Sequence, residues 1–150
     1  MRAALTALAL LLPLPAQADV ADVVREHILP GYDRFATETA ALAAQVAEGC
    51  DPATLSRPYH AAYDAWMGVQ HIHLGPAEEE GRALAIAFWP DPKGLGRKAQ
   101  LALLTGDPGK LSSEAFADQS VAARGLTGLE RLLWPEAALP ADPCPLIRAT

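Results

Sequence analysis

Apolar residues recur three and four apart along two long stretches of the chain. From Val24 the series runs through Ile28, Tyr32, Phe35, Thr39, Leu42 and Val46, with Thr39 its only polar member. Such steps lay one stripe along a helix, so the spacing predicts a first helix over about 21–48, ended by Gly49. Pro30 falls inside the series and lacks the amide donor for the carbonyl four residues earlier, which predicts a kink or a restart at Gly31. Asp51-Pro52 then supplies an N-cap acid followed by a proline whose missing donor costs nothing in a first turn. Leu55, Tyr59, Ala62, Trp66, Val69 and His73 carry the seam of a second helix, closed by Gly75-Pro76.

The pattern weakens after that. Residues 77 to 96 are irregular: Glu78-Glu79-Glu80 reads as a solvated acidic run leading into a short helix at Ala83 to Ala87, and Phe88-Trp89-Pro90-Asp91-Pro92-Lys93 as a proline-spaced turn. Its aromatics either plug the end of a bundle or line a pocket, and Asp91 beside Trp89 is placed to orient a polar ligand. A third helix follows over about Gly96 to Leu104, with Leu101 and Leu104 inward and Arg97 and Lys98 outward. Thr105-Gly106-Asp107-Pro108-Gly109 breaks it. Ser112 or Ser113 caps a fourth helix that carries Phe116, Ser120 and Val121 and runs to Leu133, where Pro135 stops it. The last 16 residues hold four prolines and read as extended. The architecture expected is therefore all-α, an up-down antiparallel bundle of about four helices with an irregular Trp/Pro loop between helices 2 and 3. Composition agrees: half the residues are apolar but only 6% are aromatic, which suits alanine and leucine packed between helices better than a sheet.

Within the fourth helix Leu126, Leu129 and Leu133 form one stripe, interrupted by Gly125 and Gly128. Each glycine should cost about 1 kcal/mol relative to alanine inside a helix, so each needs a local reason such as the close approach of a backbone or a ligand. Thr127 and Glu130 lie three apart and share a face. A second stripe on helix 2, His60, Asp64, Met67 and His71, has ligand-type side chains at helical spacing, but mixed polar residues also commonly border a core. No glycine-rich phosphate loop, His-Glu-x-x-His motif or nucleophile elbow occurs, and no catalytic residue is assigned.

Residues 1–18 read as a secretory signal peptide: Arg2, an apolar run from Leu5 to Leu14, and Ala16-Gln17-Ala18 as the cleavage site. The apolar run is shorter than the roughly 20 residues a membrane span needs, so no stable span is expected after cleavage. Residues 19–150 form the expected mature domain, periplasmic or secreted. Its charge, −7 once Arg2 is removed from the −6 of the whole chain, argues against nucleic acid, whose phosphates demand clustered lysine and arginine. Two cysteines, Cys50 and Cys144, either pair in an oxidising compartment or remain free thiols; the export signal favours the disulfide.

The run from Gly125 to Glu130 resembles the signature Gly-x-His-x-x-Glu of imelysin-like proteins, with Thr127 where the histidine belongs. His27-Ile28-Leu29-Pro30-Gly31-Tyr32, Trp66 through His71 to Gly75-Pro76, and Phe88 to Lys93 are similar to the same family in the same order. Family members are about twice as long, so the resemblance implies an N-terminal half. It also implies an exported binding module associated with iron or metal acquisition, with a divalent metal or iron as cofactor and a metal ion or iron-uptake component as partner. A metallopeptidase and a structural half-domain without its own ligand are the alternatives. Glu130 and His71 are the candidate metal ligands, and Gly125, Thr127, Trp89, Asp91 and Arg82 the candidate motif and pocket residues. Glu130 is alternatively a structural acceptor for Arg82 or Arg124.

Overall fold

A computed structural model describes residues 19–150; the predicted leader and its cleavage site lie outside the described residues. Every regular element described is helical. Three uninterrupted segments, an α turn Val20–Val23, a π turn Val24–Ile28 and an α-helix Leu29–Glu48, make up α1. The remaining helices are α2 (Pro52–Val69), α3 (Arg82–Ile86), α4 (Leu95–Leu104), α5 (Ser113–Ala117), α6 (Gly125–Leu133) and α7 (Cys144–Ala149).

The expected four-helix bundle is thus corrected to seven helices. The first two predicted rods exist nearly as drawn, but the fourth breaks into α5, a 3-10 turn at Val121–Ala123 and α6. The break has a local cause. Gly125 adopts φ +70°, a left-handed conformation that ends any continuous helix through it. At the other end, the terminal segment expected to be extended folds into α7, which buries Leu146 and Ile147 completely or nearly so.

α1 and α2 form an antiparallel hairpin and the main body of the molecule. The α1 seam is half-buried from Val24 to Thr39, and Leu42 and Val46 are buried. Thr39, the polar member, donates its hydroxyl to the Phe35 carbonyl and so enters the seam satisfied. Pro30 does not restart the helix. The strain falls instead on the turn before it, where the Leu29 amide reaches back to the Val24 carbonyl in π register. One turn later Gly31 meets α2 so closely that a Cβ there would lie 2.5 Å from Val69 Cγ1. Asp51 caps α2, accepting from the Thr54 amide at 3.0 Å and its hydroxyl at 2.9 Å; these bonds, the side-chain one first, hold its carboxyl below the usual aspartate value.

The shorter helices close over the hairpin. Leu55 from α2 and Leu146 from α7 are wholly excluded from solvent, each worth about 1.5–3 kcal/mol of burial. Cys50 and Cys144 are joined in a disulfide with Cα atoms 5.5 Å apart, fastening the α1–α2 corner to the first residue of α7. A bridge across 94 residues of sequence stabilises by about 4–5 kcal/mol in the chain-entropy account.

Candidate functional site

The glycine-containing helix α6 is held by backbone carbonyls and buried amides. A Cβ on Gly125 would lie 2.2 Å from the Ala85 carbonyl oxygen and 2.3 Å from that of Ile86, so α3 sits directly against it. At Gly128 the obstructing atom is the Ala123 carbonyl oxygen, at 2.6 Å. Both glycines answer to neighbouring backbone.

Thr127 is buried, and its Oγ1 accepts the Phe88 amide at 3.1 Å while lying 3.5 Å from the Phe88 carbonyl oxygen. The hydroxyl at the family's histidine position is therefore spent on tying α6 to the segment after α3. Glu130, one turn on, is exposed and forms no side-chain hydrogen bond or ion pair among the described residues. Its charge is felt by Tyr59 and Arg131. Burial first, and then Glu130, push the Tyr59 phenol well above its ordinary value, so Tyr59 remains a neutral donor to the Leu126 carbonyl at 3.2 Å.

The other predicted site residues are dispersed. His71 is exposed and faces His27, with ring centroids 5.8 Å apart. Trp89 is 76% exposed, which is not the burial of a plug at a bundle end. Arg82 bonds the Pro76 carbonyl and pairs with Glu79 and Glu80, and Arg124 donates to the Ala117 carbonyl; neither meets Glu130. Asp91 caps α4, its two carboxylate oxygens accepting the Leu95 and Gly96 amides at 2.8 Å each. The Gly96 bond leads in holding its carboxyl below the usual aspartate value, with the nearby Arg131 adding to it. No hydrogen bond, ion pair or ring contact joins Glu130 to His71 or Trp89 among the described residues, which also contain no group of three His, Cys, Asp or Glu able to share a metal ion.

Sequence reasoning missed a buried polar junction behind α6. Gln100 is almost fully buried and donates to the Ala123 and Gly128 carbonyls at 3.0 and 2.7 Å. Its amide oxygen accepts from Arg131 Nε at 3.3 Å, and Arg131 also donates to the Ala122 carbonyl. The only sequence signal was the four-residue spacing of Gly96 and Gln100, which puts a small residue and an amide on one face.

On the Gly125 side of α6 a cleft of about 660 Å³ opens between α1, α3, α6 and α7. Phe35, Leu42, Val46, Ile86, Leu129 and Ile147 make its walls, and Arg124 and Arg148 also line it. Arg124 Nε is buried without a hydrogen-bond partner among the described residues. An apolar cavity of this size with a few convergent polar groups is the usual form of a small-molecule site.

The family profile for imelysin, Peptidase M75, matches residues 28–150. The crystal structure of an imelysin-like protein from Psychrobacter arcticum 273-4 superposes with a TM-score of 0.76 at 24% sequence identity, covering 86% of this chain and 43% of that one. This chain accordingly spans less than half the length of that protein, and at that identity the likeness is one of fold. No curated protein matches in sequence. With the profile extending from the end of the π turn of α1 to Thr150, just past α7, the chain belongs to the imelysin family.

Proposed function

We propose that this chain is an exported, non-catalytic binding module serving iron or metal acquisition, and that its ligand enters the cleft beside Gly125 as an anion with an apolar body. The observation that carries the reading is the pairing of apolar walls with two arginines, one of them with an unpartnered buried nitrogen, in an otherwise acidic protein. Burial of the Arg124 nitrogen strengthens its attraction for a negative head group, while Arg148 lies on the exposed rim. The leader pattern in residues 1–18 supports export.

The motif residues do not fit a resident metal. A catalytic zinc takes three protein ligands and keeps an open water position, whereas Thr127 is hydrogen-bonded to Phe88 and Glu130 belongs to no group of three His, Cys, Asp or Glu among the described residues. That arrangement favours a binding module over the peptidase that the family's name carries.

Titration of the mature protein with 1-anilinonaphthalene-8-sulfonate, an apolar anion, tests the reading. Saturable one-to-one binding is expected, weakened at least tenfold by Arg148→Glu, together with no cleavage of an unfolded polypeptide. Unchanged affinity in that variant, or cleavage, would overturn it.

A further inference from the structure

The four histidines fall into different surroundings. His60 is stacked on Trp134, with ring centroids 5.7 Å apart and planes 12° apart, and His73 Nδ1 lies 3.2 Å from a Glu78 carboxylate oxygen. His27 and His71 instead face each other across the open end of the α1–α2 hairpin, 5.8 Å between centroids and 38° between planes. Neither ring makes a hydrogen bond among the described residues, and both are exposed.

We infer that His27 and His71 form a two-imidazole site for a borderline divalent transition metal, Cu²⁺, Ni²⁺ or Zn²⁺. Two imidazoles bound to one ion through nitrogens at about 2.0–2.1 Å put their ring centroids roughly 5 Å apart at a tetrahedral angle, and farther apart as the angle opens. The observed separation is within reach of a small side-chain rotation. Imidazole suits these ions, and water completes the coordination shell.

Two features of the backbone hold the rings in this position. The close contact of Gly31 with Val69 brings α1 and α2 together one turn from His27 and two residues from His71. The π turn Val24–Ile28 contains His27, and its wider register changes where that ring falls relative to the helix that follows. The ion would then be held by α1 on one side and by the turn that follows α2 on the other. It would stabilise the hairpin in proportion to its binding, since the unfolded chain does not keep the two rings together.

This site lies apart from the cleft residues and goes beyond the function proposed above, so failure of the anion titration leaves it standing. The test uses untagged mature protein titrated with a Cu²⁺ salt alone, followed by calorimetry and by electron paramagnetic resonance. One ion per chain with two imidazole nitrogens is expected. His27→Gln and His71→Gln should each weaken binding at least tenfold and abolish the metal-dependent rise in melting temperature, while His60→Gln and His73→Gln leave both unchanged. Wild-type affinity in either of the first two variants, a single-nitrogen spectrum, or loss of binding in His73→Gln would overturn the assignment.

Discussion

Thr127 and Phe88 are joined by a hydroxyl that accepts the Phe88 amide, 39 residues away in sequence. The bond fixes α6 against the strand-like segment that leads from α3 to the Trp89 turn. It is a structural use of the position at which the family motif places histidine.

Thr127→Val keeps the shape and removes the acceptor, leaving the Phe88 amide without its partner. Equilibrium urea unfolding should show a loss of about 1–3 kcal/mol. Thr127→Ser, which retains the oxygen, should lose about 1 kcal/mol or less for the missing methyl group. Equal losses in the two variants would show that packing, and not the hydroxyl, carries the effect.

Gly125→Ala places a Cβ against the carbonyls of Ala85 and Ile86 in a left-handed backbone conformation. The conformation alone costs about 1–2 kcal/mol, and the steric conflict adds to it. Thermal melts should show a clear drop, accompanied by weaker anion binding because the same backbone shapes the cleft wall. A melting temperature equal to wild type would mean that α3 does not approach as described.

Acid sensitivity should trace to two helix caps. Asp51 and Asp91 both have carboxyls held below the ordinary aspartate value, chiefly by Thr54 and by Gly96 respectively. Between the lowered folded values and the ordinary unfolded value the folded chain binds fewer protons, so this stabilisation is complete above the ordinary value. It is lost as pH falls through the folded values. Melting temperature measured from neutral pH downward should therefore decline in that window, and Asp51→Asn with Asp91→Asn should flatten the decline. An unchanged slope in the double variant would assign it to other carboxyls.

The hairpin was legible because its information is periodic. The α1 seam from Val24 to Val46 and the α2 seam from Leu55 to Val69 are read directly from steps of three and four, and both seams are half-buried or buried. His73 departs from the seam because α2 ends at Val69 and the chain turns. The region beyond it encodes its structure in single residues. Gln100 is buried by carbonyls that belong to Ala123 and Gly128, and nothing near it in sequence announces them. Gly125 reads as a flaw within a helix but is the start of one, because its left-handed conformation depends on α3. His27 likewise gains meaning only when Gly31 and Val69 bring His71 beside it.

The Cys50–Cys144 bridge encloses α2 through the approach to α7 in a covalent ring. A protease that nicks the exposed acidic stretch near Glu79 leaves two pieces that migrate together until a reductant is added. Integrity judged on a non-reducing gel would count such a cut molecule as whole.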